Sequence, residues 1–598
     1  MSEPVVKLES FGRGEHDRSF AFTGYRRAII AQTLEEVASA ILEAESVANQ
    51  GLHTAGFVSY EAAPGLDSAL CVQRWGPDVP LVWFGVFDTR EVIDPEAQPD
   101  IPFDGCLEWV ASLNKEQYGR DISAIRDLIQ AGDSYQVNHT FQMSAEFEAD
   151  AWTYYRALCR SQKADYCAYI DTGHHYILSA SPELFFSLQD GVLKTRPMKG
   201  TCRRGRWPDE DQALAGQLRD SEKNRAENLM IVDLLRNDLG RVSETGSVRV
   251  NDLWKVEPYE TLFQMTSTVE SRICDNVGLL DLFAALFPCG SVTGAPKIRT
   301  MEIIANVESQ PRGVYTGAIG YVSPGQDAKF NVAIRTVTVD RGHQRAHFGV
   351  GGGITWDSTS EDEYQECLTK AKVLSERRPV FSLFETMRLD QDKGIYLRDT
   401  HLRRLERSAD YFGFRWDEDR VTEELKRAVD GCADSARIRL TLRPDGSLFH
   451  EVGALSRQET YTARVSPLRV DSSNVFLYHK TTYRNDYDRC RASCPDVDDV
   501  ILMNERGELT EFTIGNLVVE VAGRRLTPPL PSGLLGGTFR EDLLTRGEIE
   551  ESVLLREDLR RASNVFMLNS VREWVSVTVL SPSVGSEEDY KPTLFGGS

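Results

Sequence analysis

The sequence predicts an α+β protein built in two large parts, and three observations carry that reading. Strand-like segments come in adjacent pairs joined by glycine turns, which makes antiparallel sheets; they do not alternate regularly with helices as in a doubly wound parallel sheet. At 598 residues the chain exceeds what one core supports, so about three or four domains or two large ones are expected. The stretch "AKVLSERRPVFSLFETMRLD" ends a helical pattern in a charged run with Pro379 and then starts an alternating one, which puts the boundary near residue 378. The expected parts are therefore 1–377 and 378–582, with 583–598 as a loose tail.

Taken in order, "HHYILSASPELFFSLQDGVLKTRPMKGT" reads as strand, turn at Gln189-Asp190-Gly191, strand and loop, and "GAIGYVSPGQDAKFNVAIRTVTVD" repeats that plan. Between them, "DSEKNRAENLMIVDLLRNDLGRV" has the period of an amphipathic helix, capped by Asp220 or Ser221 and stopped near Gly240. In the second part, "ARIRLTLRPDGSLFHEV" and "DDVILMNERGELTEFTIGNLVVEVAGRRLTPP" read as hairpins, and "DTHLRRLERSADYFGF" as a helix capped by Asp399 or Thr400.

Composition works mainly by exclusion. Sixty-eight basic against 91 acidic residues leave a net charge of −23, which argues against a nucleic-acid partner but not against a small anionic ligand held by local arginines. No apolar run is long enough to span a bilayer, and the first residues lack a charged-then-apolar leader, so no membrane association and a cytoplasmic location are expected. The eleven cysteines are scattered, and the close couple Cys490 and Cys494 lacks a second pair to complete a zinc site.

"TRPMKGTCRRG" sets Lys199 just after a strand, before a glycine that lets a ligand approach the backbone. A lysine amine becomes nucleophilic when burial or neighbouring cations lower its pKa, and Arg196, Arg203 and Arg204 lie close in sequence. The plain alternative is a solvated loop charge. Glu227 lies among apolar residues of the predicted helix, and "WDSTSEDEYQECLTKAKVL" puts Glu363 and Glu366 three apart, on one helical face. Capping boxes from Ser358 to Glu361 or Ser360 to Glu363 would employ some of these acids but not Glu366. The three glutamates together would suit a hard cation such as Mg²⁺. The glycine-rich turns "GSVTGAPKIRT" and "FGVGGGITWDS" match neither nucleotide-binding pattern, which leaves carboxylates as ligands.

In the second part, "LYHKTTYRNDYD" places Lys480 at the end of an apolar strand. "GELTEFTIGNLVV" places Glu511 before a Thr513-Ile514-Gly515-Asn516 loop, and "PSGLLGGTFRE" adds a glycine-rich anion turn. Each is weak alone; the set is what pyridoxal phosphate requires, a lysine, an acid for the pyridine nitrogen and backbone N–H groups for the phosphate.

The segments "SPELFF", "TRPMKGTCRRG", "ENLMIVDLLRND", "GSVTGAPK", "RGVYTGAIGY", "FNVAIRT", "GVGGGITWDS" and "EDEYQECLTKAK" resemble the chorismate-utilising enzymes, the aminodeoxychorismate synthases most of all. The resemblance implies an antiparallel-sheet sandwich. It also implies that Lys199 attacks C2 of chorismate and Glu183 is the general acid for the C4 hydroxyl. Glu227, Glu363 and Glu366 would hold Mg²⁺, and Gly200, Thr201, Thr293, Tyr315, Arg335, Gly351, Gly352, Gly353 and Lys370 would cradle the substrate. Relatives that add water carry a lysine where Gln136 stands, so ammonia is the implied nucleophile. Many members have a histidine where Gln264 or Met265 stands, a departure that bears on proton handling. With no Gly-x-Cys-x-Gly amidotransferase motif in the chain, ammonia would come from a separate glutamine amidotransferase subunit.

"FSLFETMRL", "HLRRLERSADYFGF", "HKTTYR", "LTEFTIGNLVV", "TPPLPSGLLGGTFR" and "NSVREW" resemble the fold-type IV pyridoxal-phosphate enzymes, aminodeoxychorismate lyases among them. That family has two subdomains and commonly forms homodimers. Lys480 would carry the cofactor, Glu511 would face its pyridine nitrogen, and Arg404, Thr513, Ile514, Gly537, Thr538 and Ser570 would surround its phosphate. The same residues serve branched-chain and D-amino-acid aminotransferases; the fusion favours a lyase that releases 4-aminobenzoate and pyruvate. Two other readings stay open: an anthranilate-synthase-like part joined to an aminotransferase, and a non-catalytic second part.

Overall fold

The computed structural model describes all residues except 1–2, 13–17, 75, 77–78, 96–102, 104, 106, 376–378, 431, 433, 456–459 and 581–598. The expected boundary at 377/378 and the expected tail 583–598 lie outside the described residues. The chain forms two compact units, the first of Met1–Arg204 and Leu214–Arg378, the second of Gly205–Ala213 and Pro379–Ser598.

In the first unit, the elements that matter for function are β1 (Gln136–Glu146), β2 (Leu184–Gln189), β3 (Val192–Arg196), β4 (Met198–Arg203), α1 (Glu222–Gly240), β5 (Leu262–Arg272), β6 (Arg345–Ile354) and α2 (Ser360–Ala371). They belong to, or pack on, an extended antiparallel strand network, as the glycine-turn pairs predict. Phe283 meets Phe186 and Phe330 edge to face in one core, and a second core gathers Tyr118, Ile125 and Phe348. α1 starts where the sequence indicates: the Ser221 side chain accepts from the N–H of Asn224.

The segment around Lys199, read as a loop, is instead strand β4, paired with β5 through Thr201 opposite Gln264. Its irregularity is local. Gly200 sits at φ +94°, and the pairing shifts register between Met198 and Thr201. α2 also differs from its expected capping: Thr359 precedes it and accepts from the N–H of Asp362, while Ser358 is occupied elsewhere.

The second unit has a four-stranded antiparallel sheet containing β7 (Leu383–Asp390), β8 (Ala436–Leu442) and β9 (Leu448–Ala454), packed on α3 (Arg398–Phe412). An eight-stranded sheet contains β10 (Thr460–Val470), β11 (Asp499–Asn504), β12 (Leu509–Phe512), β13 (Asn516–Val521) and β14 (Glu573–Val579), followed in packing by α4 (Thr538–Thr545). Here β10 runs parallel to both β11 and β14, an arrangement that adjacent hairpins do not predict. α3 begins after Leu397, so Asp399 and Thr400 fall inside its first turn and do not cap it. No helix among the described residues is long and apolar enough to cross a membrane.

Candidate active sites

In the first unit, β1 and β6 run antiparallel with Asn138 opposite Gly353. The missing side chain at Gly353 makes room: a methyl there would come within 2.5 Å of Lys199 Nζ and closer still to Gln136 Nε2. Lys199 and the Gln136 amide thus converge over one bare stretch of backbone. β4 is held in place by side-chain clamps on its carbonyls. Asn228 Nδ2 of α1 donates to Lys199 O at 3.3 Å while its Oδ1 accepts from Ser267 Oγ at 2.6 Å, and Gln264 Nε2 donates to Gly200 O at 2.9 Å. Of the two candidates for the expected histidine position, Gln264 therefore touches the lysine strand, and Met265 is buried in a small apolar cluster.

Burial lowers the Lys199 pKa, and Lys370 lowers it further against the opposing pull of Glu227, Glu366 and Glu363. The neighbouring arginines have other employment. Arg196 pairs with Glu257, and Arg204 donates to Tyr259 O at 2.8 Å. Loss of water around the amine, not a ring of guanidinium groups, is what favours its neutral form.

Glu183, between the strands ending at Ser181 and beginning at Leu184, is buried, and its Oε1 has no hydrogen-bond partner among the described residues. Desolvation pushes its pKa up to about 7, with Ser291, the Met198 N–H and Lys199 opposing. At that value half of the side chains carry a proton at neutrality, against about one in five hundred for an ordinary glutamate. The Gln136 Oε1 is likewise buried without a partner.

The expected metal residues divide. Ser358 Oγ donates to Glu363 Oε1 at 2.7 Å, and Glu363 Oε2 faces Gly352; burial and the Glu366 charge raise its pKa. Burial alone would raise Glu366 too, but the Lys370 ammonium at 2.8 Å holds it below the usual range. Lys370 also donates to Gly351 O at 2.9 Å, which ties α2 to the glycine turn. Glu227 acts on Lys199 electrostatically, yet among the described residues no three His, Cys, Asp or Glu side chains gather into a metal cage.

Other expected cradle residues are more distant in their contacts. The Arg335 guanidinium donates to Gln162 and feels Tyr259, and among the described residues it has no hydrogen bond or ion pair to Lys199 or the glutamates. The Thr293 hydroxyl donates to Cys289 O, Tyr315 packs over Gly349, and Thr201 is exposed on β4.

In the second unit, Lys480 lies on an extended link after a short helical turn, not at a strand end, and its carbonyl accepts from Phe384 N at 3.0 Å. Its Nζ stands 4.9 Å from the Phe384 ring centroid. Burial and Arg404 bring its pKa down to about 8, with Glu385 and Glu511 opposing. Glu511 on β12 accepts from Tyr487 Oη at 2.7 Å, Leu535 N at 3.0 Å and Asn516 Nδ2 at 3.1 Å, and burial still pushes its pKa up to about 7.

Arg404 forms a fork on Glu385, at 2.8 and 2.6 Å, and donates to Gly536 O at 2.9 Å, directly before the Gly537-Thr538 start of α4. His401 bridges Glu385 at 2.7 Å and Thr538 Oγ1 at 3.2 Å. Burial would raise the Glu385 pKa, but Arg404 and His401 pull it down to about 2. The expected phosphate residues Arg404, Gly537 and Thr538 therefore share one corner. Thr513 instead donates its hydroxyl to Asp499 at 2.6 Å, the Ile514 side chain is exposed, and the Ser570 hydroxyl donates to Thr386 O at 3.5 Å.

Sequence reasoning missed Asn228, Ser267, Tyr487, His401 and Glu385. For Glu385 a signal existed: it is the one acid in the inward-facing series Leu383, Glu385, Met387, Leu389 of an alternating strand, and such an acid needs a buried counter-ion.

Comparison with known proteins agrees with this division. The chorismate binding enzyme family matches residues 9–376, and amino-transferase class IV matches residues 382–580. Aminodeoxychorismate synthase component 1 of Klebsiella aerogenes is 43% identical over 262 residues, 44% of this chain and 58% of that protein. Its namesake in Escherichia coli is 32% identical over 397 residues, 62% of this chain and 87% of that protein. The chain thus spans little more than half of the first relative and most of the second. The crystal structure of anthranilate synthase component I from Streptococcus pneumoniae is 28% identical, with a TM-score of 0.52 over 61% of this chain and 95% of that one. The chain belongs to the chorismate binding enzyme family, and it carries behind that segment a fold-type IV, class IV amino-transferase domain.

Proposed function

We propose that the protein makes 4-aminobenzoate in two steps, chorismate and ammonia first giving 4-amino-4-deoxychorismate, which then loses pyruvate in the second unit. The observation that carries the first step is a lysine amine made less basic by burial, beside a glutamate whose pKa of about 7 keeps a proton available. Neutral Lys199 adds to C2 with a shift of both ring double bonds, and the C4 hydroxyl leaves as water with the proton of Glu183. Ammonia then bonds to C4, both double bonds shift back, the C2–Nζ bond breaks to free Lys199, and the proton shed by the new amine returns to Glu183. Gln136, uncharged where a lysine would activate water, leaves ammonia as the nucleophile. The relatives' designation as component 1 supports a separate amidotransferase subunit as its source.

Magnesium needs no closed cage, because one or two carboxylates with waters and substrate hold it, and the hard oxygen donors of Glu363 and Glu366 suit that role, with Glu227 as the third expected ligand. Glu363 is desolvated and repelled by Glu366, a state a divalent cation would relieve, and the bound ion would supply positive charge against a substrate carboxylate.

Pyridoxal phosphate fits the second unit: a half-buried lysine of lowered basicity, a buried acid held by three donors, and an arginine and helix start sharing one corner. When bound, it supplies an electron sink for cleavage next to the amine-bearing carbon. Lys480 would hold the cofactor and move protons at the substrate, Glu511 would face the pyridine nitrogen, and Arg404 with the α4 N–H groups would hold the phosphate.

Two results are expected of the first unit. With free ammonia held constant, the first reaction should lose rate on its alkaline side, once Lys199 is neutral and Glu183 gives up the proton it must deliver; Glu183→Gln should remove that limb along with most of the rate. An alkaline limb that persists unchanged in Glu183→Gln would exclude Glu183 as the acid. Gly353→Ala should lower kcat/KM of the first reaction about a hundred-fold or more while leaving the second intact, since the methyl displaces Lys199 and Gln136. Assay of each half-reaction separately checks this.

A further inference from the structure

The second unit includes a segment that in sequence lies between β4 and α1: Gly205–Ala213 is part of it. The turn at its start is braced from within. Gly205 N donates to Asp211 Oδ1 at 2.7 Å and Arg206 N to Glu210 Oε2 at 2.6 Å, and a methyl at Gly205 would run into the Asp211 backbone. Its outward groups meet the two residues that precede Lys480. The Trp207 and Tyr478 rings lie 5.2 Å apart at 31°, and the Arg206 guanidinium stands 4.8 Å from the first ring and 5.5 Å from the second. Arg206 also donates to Tyr478 Oη and to Ser472 O, each at 3.3 Å, while Tyr478 Oη donates to Ser472 O at 2.7 Å. Tyr411 of α3 donates to Gly205 O at 2.6 Å, and its ring lies 4.5 Å from that of His479. Trp207 packs besides on the apolar cluster of Tyr478 and Tyr487, and Tyr487 is a donor to Glu511. The link that carries Lys480 lies in no strand, so its placement depends on what packs on Tyr478 and His479 as well as on its bonds to β7.

We infer that Gly205–Ala213 is a strap that places Lys480, with Trp207 as a positioning residue for the second reaction. This rests on the reading that Lys480 holds pyridoxal phosphate. An amine that must bond a cofactor and then move protons works only within a narrow range of positions, and a displacement of about 1 Å costs on the order of a hundred-fold in rate. The class IV match begins at residue 382, so the strap lies outside it and is a support that the fused chain adds. The second active site is therefore completed by residues that precede α1, and a cut at the boundary near residue 378 would leave it without them.

Absorbance titration of the full chain with pyridoxal phosphate tests the inference. Trp207→Ala should weaken cofactor binding about ten-fold or more and move the pH at which the bound cofactor changes absorbance. It should also lower kcat for pyruvate release from supplied aminodeoxychorismate. Trp207→Phe keeps a ring against Tyr478 and should recover most of all three. Chorismate consumption with ammonium, measured on the same preparations, should stay within a few-fold of the unaltered chain. Unchanged cofactor affinity and absorbance in Trp207→Ala would overturn the inference, as would a loss that falls equally on the first reaction or one that Trp207→Phe does not relieve. Failure of the underlying reading looks different: the unaltered chain would itself take up no pyridoxal phosphate.

Discussion

Lys199→Ala is expected to abolish formation of 4-amino-4-deoxychorismate while leaving conversion of the supplied intermediate to 4-aminobenzoate unchanged. The side chain is the amine that bonds to C2, and removing a covalent nucleophile costs on the order of a thousand-fold or more. The fold should tolerate the change. β4 is fixed through its carbonyls by Asn228 and Gln264, and neither clamp uses the lysine side chain. Survival of the first reaction would remove Lys199 from the mechanism. Ammonium-dependent loss of chorismate and turnover of the intermediate, measured on one preparation, separate a chemical defect from misfolding.

Lys480→Ala should have the complementary effect, with 4-amino-4-deoxychorismate accumulating and 4-aminobenzoate falling on the order of a thousand-fold. Its lowered pKa of about 8 leaves an appreciable neutral fraction at physiological pH, which a cofactor-anchoring, proton-moving amine requires. Borohydride treatment should fix cofactor to the unaltered chain and not to the variant. Unimpaired 4-aminobenzoate formation would refute the assignment.

Much of the site was legible because its chemistry sits in short motifs. Lys199, Gly353 and Gln136 meet because β1, β4 and β6 carry them inward, and Glu363 and Glu366 share a face of α2 as their spacing predicts. What was not legible depends on partners distant in sequence. The Lys199 segment reads as a loop because proline and glycine flank it, yet pairing with β5 makes it a strand, and Gly200 absorbs the irregularity in the left-handed region. The arginines beside Lys199 suggest an electrostatic cause for its lowered pKa, but Glu257 and the Tyr259 carbonyl claim two of them. Ser358 looks like a cap and instead holds Glu363. Arg404 looks like a free phosphate ligand and is shared with Glu385, whose counter-ion is identified only once α3 packs on β7. The parallel pairing of β10 is invisible to local pattern because its neighbours β11 and β14 are brought by crossovers.

The measurement closest to the central claim is product identification after incubating the full chain with chorismate, ammonium, Mg²⁺ and pyridoxal phosphate. The account predicts 4-aminobenzoate and pyruvate in equal amounts, with 4-amino-4-deoxychorismate appearing first; anthranilate without 4-aminobenzoate would contradict it.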